Sequence, residues 1–238
     1  MRVLAIDTAL GACSAAVLTV DAENSPRING GILGGIVVSE SLAMVRGHAE
    51  ALMPLIARVM KKSGTLFSDL DRVVVTTGPG SFTGLRVGIS AARGFGVATN
   101  VQVVGVSTLS AYAAPYLGAD ETSPVVVAID ARHEHVYLQV FGPGGQTLVT
   151  PRLAPLSEAV RAASEAPARI VGSATQAVAA ALSENGPAPV SVDAREAPDI
   201  AWVAQIGSIM PDPQSPPKPQ YLRAPDAQPQ NASQLPRR

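Results

Sequence analysis

Val73-Val74-Val75-Thr76-Thr77-Gly78-Pro79-Gly80-Ser81-Phe82-Thr83-Gly84-Leu85-Arg86-Val87-Gly88 decides the fold of this 238-residue chain. Residues 73–77 are all β-branched, which describes a strand buried on both faces. Gly78-Pro79-Gly80-Ser81 is the turn. From Phe82 the pattern becomes helical and runs to residue 99, with Ser81 or Thr83 placed to cap it. A strand over 102–106 and a helix over 107–117 follow. Strand, helix, strand, helix in succession is α/β organisation.

Working back toward the start, residues 3–6 form a short apolar run ending in Asp7-Thr8, and a second β-rich run covers 13–20. A Gly/Asn/Pro-rich connection over 24–35 leads to a third run at 36–39. Three strands joined by turns describe a meander. Residues 48–62 carry Leu52, Met53, Ile56, Val59 and Met60 at helical spacing. Pro54 requires that helix either to start near Met53 or to kink there. Ser63-Gly64 ends it.

Working forward, the pattern restarts around 120–124. Strands are predicted over 125–130 and 136–141, then the turn Gly142-Pro143-Gly144-Gly145. A helix at 156–166, a strand at 170–171, a helix at 174–184, a strand at 190–192 and a last helix at 200–210 complete the body. Leu4-Ala5-Ile6-Asp7 is echoed by Val127-Ala128-Ile129-Asp130, each an apolar strand ending in Asp before a turn and another β-rich run. The echo suggests a duplicated fold. The expected lobes are 1–108 and 109–210. Beyond them lies a Pro/Gln-rich tail, 211–238, too poor in large apolar residues to order throughout. Within it, 219–223 brings Tyr221 and Leu222 to dock on the body.

Composition narrows the function classes. Hydrophobic residues make up 47% of the chain, enough for a sizeable core, and the net charge of −1 gives no global field for nucleic acid. Any contact with nucleic acid is therefore expected to be indirect. The single cysteine, Cys13, cannot form an internal disulfide or by itself a zinc site, and fits a reducing compartment. The opening residues turn polar at Asp7, unlike a signal peptide, and no apolar run reaches the ~20 residues of a membrane span. The expectation is a cytoplasmic protein with no membrane segment.

The first candidate site is Asp7-Thr8-Ala9-Leu10-Gly11-Ala12-Cys13-Ser14. Asp7, Thr8 and Ser14 are residue types that hold a nucleotide phosphate or its metal, and the same turn also reads as an ordinary hairpin. Its counterpart, Asp130-Ala131-Arg132-His133-Glu134-His135, has no glycine and is too bulky for close approach of backbone to phosphate. The result is one plausible jaw and one poor one, which argues against efficient ATP hydrolysis. His133 and His135 alternate, as solvated strand residues do, and two histidines rarely suffice for a metal. His48 is followed four residues later by Leu52, so no His-x-x-x-His zinc helix exists. Around Ser81 the nucleophile-elbow spacing fails, and no Gly-Lys-Ser/Thr makes a P-loop. No catalytic set and no metal set emerges. Gly84, Gly88 and Ala92, four apart, make a small-residue stripe that permits close approach of another helix, of this chain or a second one.

These residues resemble the TsaB (YeaZ) family of tRNA threonylcarbamoyladenosine biosynthesis proteins. The match runs through Leu4 to Ala9, Cys13-Ser14-Ala15-Ala16, His48 to Pro54, and most strongly Gly78 to Gly88. Gly105-Val106-Ser107-Thr108-Leu109, Ala128-Ile129-Asp130-Ala131-Arg132 and Tyr221-Leu222-Arg223 follow in family order. The resemblance implies an α/β, two-lobed actin/Hsp70-like fold with duplicated lobes, a mixed sheet flanked by helices in each. It further implies a non-catalytic subunit acting with TsaD, TsaE and TsaC to form N6-threonylcarbamoyladenosine at position 37 of tRNAs reading codons that begin with A. TsaD carries two metal-binding histidines four apart on the corresponding helix, where only His48 remains here. Asp7, Thr8, Ser14 and Asp130 become a degenerate nucleotide site, with ATP or ADP left open at the subunit boundary. The partner face falls on the two N-lobe helices, at His48, Leu52, Met53, Ile56, Phe82, Leu85, Gly88, Ile89 and Ala92, toward TsaD or toward a second copy in a homodimer. The alternative is an ATP-dependent or peptidase-like enzyme of the same superfold.

Overall fold

The computed structural model describes residues 1–20, 27–28, 31–32, 35–117, 122–182 and 187–223. In the first lobe, β1 (Arg2–Asp7) and β2 (Ala12–Thr19) form an antiparallel hairpin. Short paired segments β3 (Arg27–Ile28) and β4 (Gly31–Ile32) precede β5 (Ile36–Ala43), which continues antiparallel on β2. Helix α1 (His48–Ser63) leads to β6 (Arg72–Gly78), α2 (Phe82–Thr99) and β7 (Gln102–Ser107). Both β6 and β7 are added in parallel on the other side of β1, giving the order β5-β2-β1-β6-β7.

After α3 (Thr108–Ala113) the plan repeats. Strands β8 (Val125–Asp130), β9 (His135–Phe141) and β10 (Thr147–Pro155) pair antiparallel in succession. Helix α4 (Leu156–Ser164), β11 (Arg169–Val171), α5 (Thr175–Ala181) and β12 (Ser191–Asp193) follow, and β11 and β12 pair in parallel. The second sheet runs β10-β9-β8-β11-β12. Both sheets thus place their strands in the same order by rank, third, second, first, fourth, fifth. The four-residue echo is the visible trace of this duplicated, two-lobed actin/Hsp70-like plan.

Helix α1 starts at His48, as the 48–62 reading has it, rather than near Met53, with Pro54 inside it; three other expectations are corrected. Pro54 and Glu50 both face solvent, so the carbonyl that Pro54 cannot serve has water to bond. Strand β10 was not expected, because its side chains are mostly exposed and it contains Pro151; it is an edge strand, where proline is tolerated. The helix expected over 107–117 ends at Ala113 and tightens into a 3-10 turn over Ala114–Tyr116. Helix α6 (Ile200–Ile209), placed by the lobe boundary in the second lobe, returns to the first. Its Ile200, Val203 and Ala204 pack with Val3, Ala5 and Val74 on the face of the sheet opposite α1 and α2. The connection over 24–35 and the start of the second lobe at 120 fall largely or wholly outside the described residues, as does the tail over 224–238.

Candidate functional site

The turn between β1 and β2 is built from the inside. Asp7 ends β1 fully buried, and its Oδ1 accepts from the Thr76 hydroxyl at 2.5 Å and from Ala9 N–H at 3.0 Å. Its other oxygen, Oδ2, is buried with no hydrogen-bond partner among the described residues. Burial pushes the Asp7 carboxyl above its ordinary range, against smaller opposing effects from Thr76, Ala9 and the nearby His48. His48, 8% exposed at the head of α1, has Nε2 3.1 Å from the Leu10 carbonyl. A carbonyl only accepts, so Nε2 carries the proton.

Helix α2 closes over this turn. The Thr8 hydroxyl donates to the Gly84 carbonyl at 2.7 Å, and Ser81 N–H donates to the Ala9 carbonyl at 2.7 Å. Ser81 caps the helix by accepting from Gly84 N–H at 3.3 Å. A Cβ on Gly84 would stand 2.0 Å from the Thr8 carbonyl oxygen, and one on Gly88 2.4 Å from Thr8 Oγ1. The small-residue stripe is therefore the space into which the Thr8 backbone and side chain fit. It serves the chain's own first turn rather than a second helix. Thr8 is thereby buried, while Leu10 and Gly11 of the same turn line the cleft described below.

Of the four residues read as a nucleotide site, Asp7, Thr8 and Ser14 are buried, with Ser14 Oγ accepting from the Ser41 hydroxyl at 2.7 Å. Only Asp130 faces open space. It lines a cleft of about 610 Å³ between the lobes, together with Ser81, Arg132, Glu196, Tyr221 and Arg223. Beside it, Arg132, His133 and Glu134 are all left-handed, with φ of 63°, 53° and 59°. Each such residue costs roughly 1–2 kcal/mol, so the turn must be held from outside. Asp130 Oδ1 accepts from Arg132 N–H at 2.8 Å, and the Glu134 carbonyl accepts from Leu156 N–H at 2.8 Å. His133 lies in the turn and His135 starts β9, with His135 Nδ1 donating to the His133 carbonyl at 2.7 Å; they do not share a strand face. Among the described residues, no three His, Cys, Asp or Glu side chains converge to hold a metal ion.

The residues read as a partner face divide. Leu52, Ile56, Leu85, Gly88, Ile89 and Ala92 are buried inside this chain, and all but Gly88 belong to the core between the helices and the sheet. Apolar periodicity marks the side of a helix that meets its own sheet first. Met53, 52% exposed, and Phe82, 37% exposed, do reach the surface. The outer faces are carried by Met53, Pro54 and Ala57 on α1 and by Thr83, Arg86 and Ser90 on α2. Sequence reasoning did not find Thr76 or Glu196. Thr76 had a signal, a hydroxyl directly after three valines in a buried strand.

The chain matches the family model for TsaD, tRNA N6-adenosine threonylcarbamoyltransferase, over residues 32–198. It is 34% identical to the tRNA threonylcarbamoyladenosine biosynthesis protein TsaB of Escherichia coli, over 58% of this chain and 53% of that protein. The chain thus spans about half the length of that relative. An uncharacterised protein of Mycobacterium bovis is 31% identical over 95% of this chain and 94% of its own length. Among solved structures, YeaZ from Pseudomonas aeruginosa superposes with a TM-score of 0.68 at 25% identity, over 86% of this chain and 89% of that one.

Proposed function

The chain belongs to the TsaB (YeaZ) family, and from that premise we propose that it is a non-catalytic partner subunit in the formation of N6-threonylcarbamoyladenosine on tRNA. The observation that supports this reading is the close seating of Thr8 on α2. The Thr8 carbonyl and hydroxyl lie against Gly84 and Gly88, so the Asp7 and Thr8 side chains are buried away from the cleft. His48 donates to Leu10, and the position four residues on is a core leucine, Leu52. Asp7, Thr8, Ser14 and His48 are thus taken up in this chain's own packing, and Asp130 lines the cleft.

In this reading TsaD supplies the reacting groups and docks on the outer faces of α1 and α2. TsaE and TsaC complete the pathway, and tRNA is reached through the complex in the cytoplasm. ATP or ADP belongs at the subunit boundary, because Asp7 and Thr8 are closed to it. In the absence of TsaD the same helical face pairs with a second copy. Met53 and Phe82 are the exposed apolar residues a partner would cover. Co-purification on tagged TsaD tests the assignment. Wild type is retained and Met53→Asp is lost while still folded; retention of Met53→Asp together with Phe82→Asp removes this face from the interface.

A further inference from the structure

Beyond α6, residues 211–223 cross the molecule without regular secondary structure, and five of these thirteen are proline. Proline lowers the entropy an extended segment loses on docking, so few contacts can hold it. The contacts are specific. Arg72 donates to the carbonyls of Gly207 and Met210 at 2.8 and 2.6 Å and pairs with Asp212 at 2.5 Å. Arg93 donates twice to the carbonyl of buried Pro217, at 3.1 and 2.6 Å. Gln220 N–H donates to the Thr77 carbonyl at 2.7 Å. Gly78, at φ 109°, leaves room for it; a Cβ there would stand 2.8 Å from the Gln220 carbonyl oxygen.

At Tyr221 the segment reaches the head of α2. Its ring lies 5.1 Å from that of Phe82, the Arg86 guanidinium stands 3.8 Å over Phe82, and Arg86 Nε donates to the Tyr221 hydroxyl at 3.2 Å. The next two residues change lobes. Leu222 packs on the core beneath β8, with Leu109 and Ile129. Arg223 donates to the Ala131 carbonyl at 2.6 Å, at the entry to the left-handed turn.

We propose that residues 211–223 are a latch that fastens the two lobes across the cleft, with Arg223 on Ala131 as its catch. Four of its residues, Gln220 to Arg223, wall the cleft, so its width follows their docking. Releasing the catch frees a turn whose left-handed residues relax once untied. The Phe82–Arg86–Tyr221 stack links that release to the exposed head of α2, so the state of the cleft is legible on the outer surface of the first lobe.

Hydrogen–deuterium exchange on the full chain tests this without any partner or ligand. In Arg223→Ala, amide exchange across 131–136 rises about fivefold, the order expected from losing the hydrogen bond to the Ala131 carbonyl, while α1 is unchanged. In Tyr221→Ala the rise extends to 77–84 as well. Change confined to 219–223 in both variants overturns the proposal, since the segment then fastens nothing. A rise throughout the chain, α1 included, also overturns it, because the segment is then part of the global core rather than a separable latch.

Discussion

Thr8 and Gly84 meet through a 2.7 Å hydrogen bond from the threonine hydroxyl to the glycine carbonyl, in a contact so close that no Cβ fits on the glycine. One contact thereby fixes the helix to the first turn.

Gly84→Ala places its methyl 2.0 Å from a backbone oxygen that cannot move without breaking the hairpin. The expected cost is about 2–3 kcal/mol, a fall in Tm of about 5–10 °C. Gly94, on the same helix, has nothing within 4 Å of its added Cβ. Gly94→Ala should be neutral or stabilising by up to about 1 kcal/mol. Paired thermal melts check both; equal effects at the two positions would refute the close-approach reading.

Gly88→Leu unfolds the first lobe rather than only weakening assembly. Its side chain would start 2.4 Å from Thr8 Oγ1, inside the core. Circular dichroism of the isolated chain checks this; a native spectrum and Tm would return Gly88 to the list of surface residues.

Much of the fold was legible because parallel β6 and the hairpin β1–β2 are dense in β-branched and small apolar residues, and the two lobes begin with the same four-residue pattern. The helices were legible as apolar stripes, but a stripe does not say what covers it. That is why Leu52, Ile56, Leu85 and Ile89 were read as a partner face when they serve the chain's own sheet. Strand β10 was missed because an exposed edge lacks the apolar signal, and α6 was misassigned because its return to the first lobe is a long-range contact. The cleft needed three distant segments to meet, at Ser81, Arg132 and Tyr221, and only the structure brings them together.

Asp7 makes stability depend on pH. Burial raises its folded pKa above the ordinary carboxylate value, so its favourable contribution is complete in acid and is lost as pH rises through the raised value. Asp7→Asn keeps an oxygen for Thr76 and Ala9 but cannot ionise. Urea midpoints between pH 4.5 and 7.5 should therefore move in favour of the variant as pH rises. Glu40 does not confuse this window: Arg58 and Lys62 lower it to about 2, so its contribution holds above about 4.5 and is lost below. A difference between variant and wild type that is flat or reversed with pH would contradict the burial of Asp7.

Cys13 should be chemically quiet. Burial, and then the Asp7 charge, push its thiol up to about 11, and the side chain is fully covered. Alkylation at pH 8 should be slow in the native protein and fast in denaturant. Equal rates would show that the first hairpin opens readily.

The central claim is tested most directly by measuring N6-threonylcarbamoyladenosine on tRNA in a reaction assembled from purified TsaC, TsaD, TsaE and this chain. The modified base should form only when TsaD and this chain are both present, and remain when Asp130→Ala replaces the wild type, since the Asp130 carboxylate accepts from Arg132 N–H within its own turn. Product formed by this chain without TsaD, or formed at an undiminished rate when this chain is left out, would contradict the account.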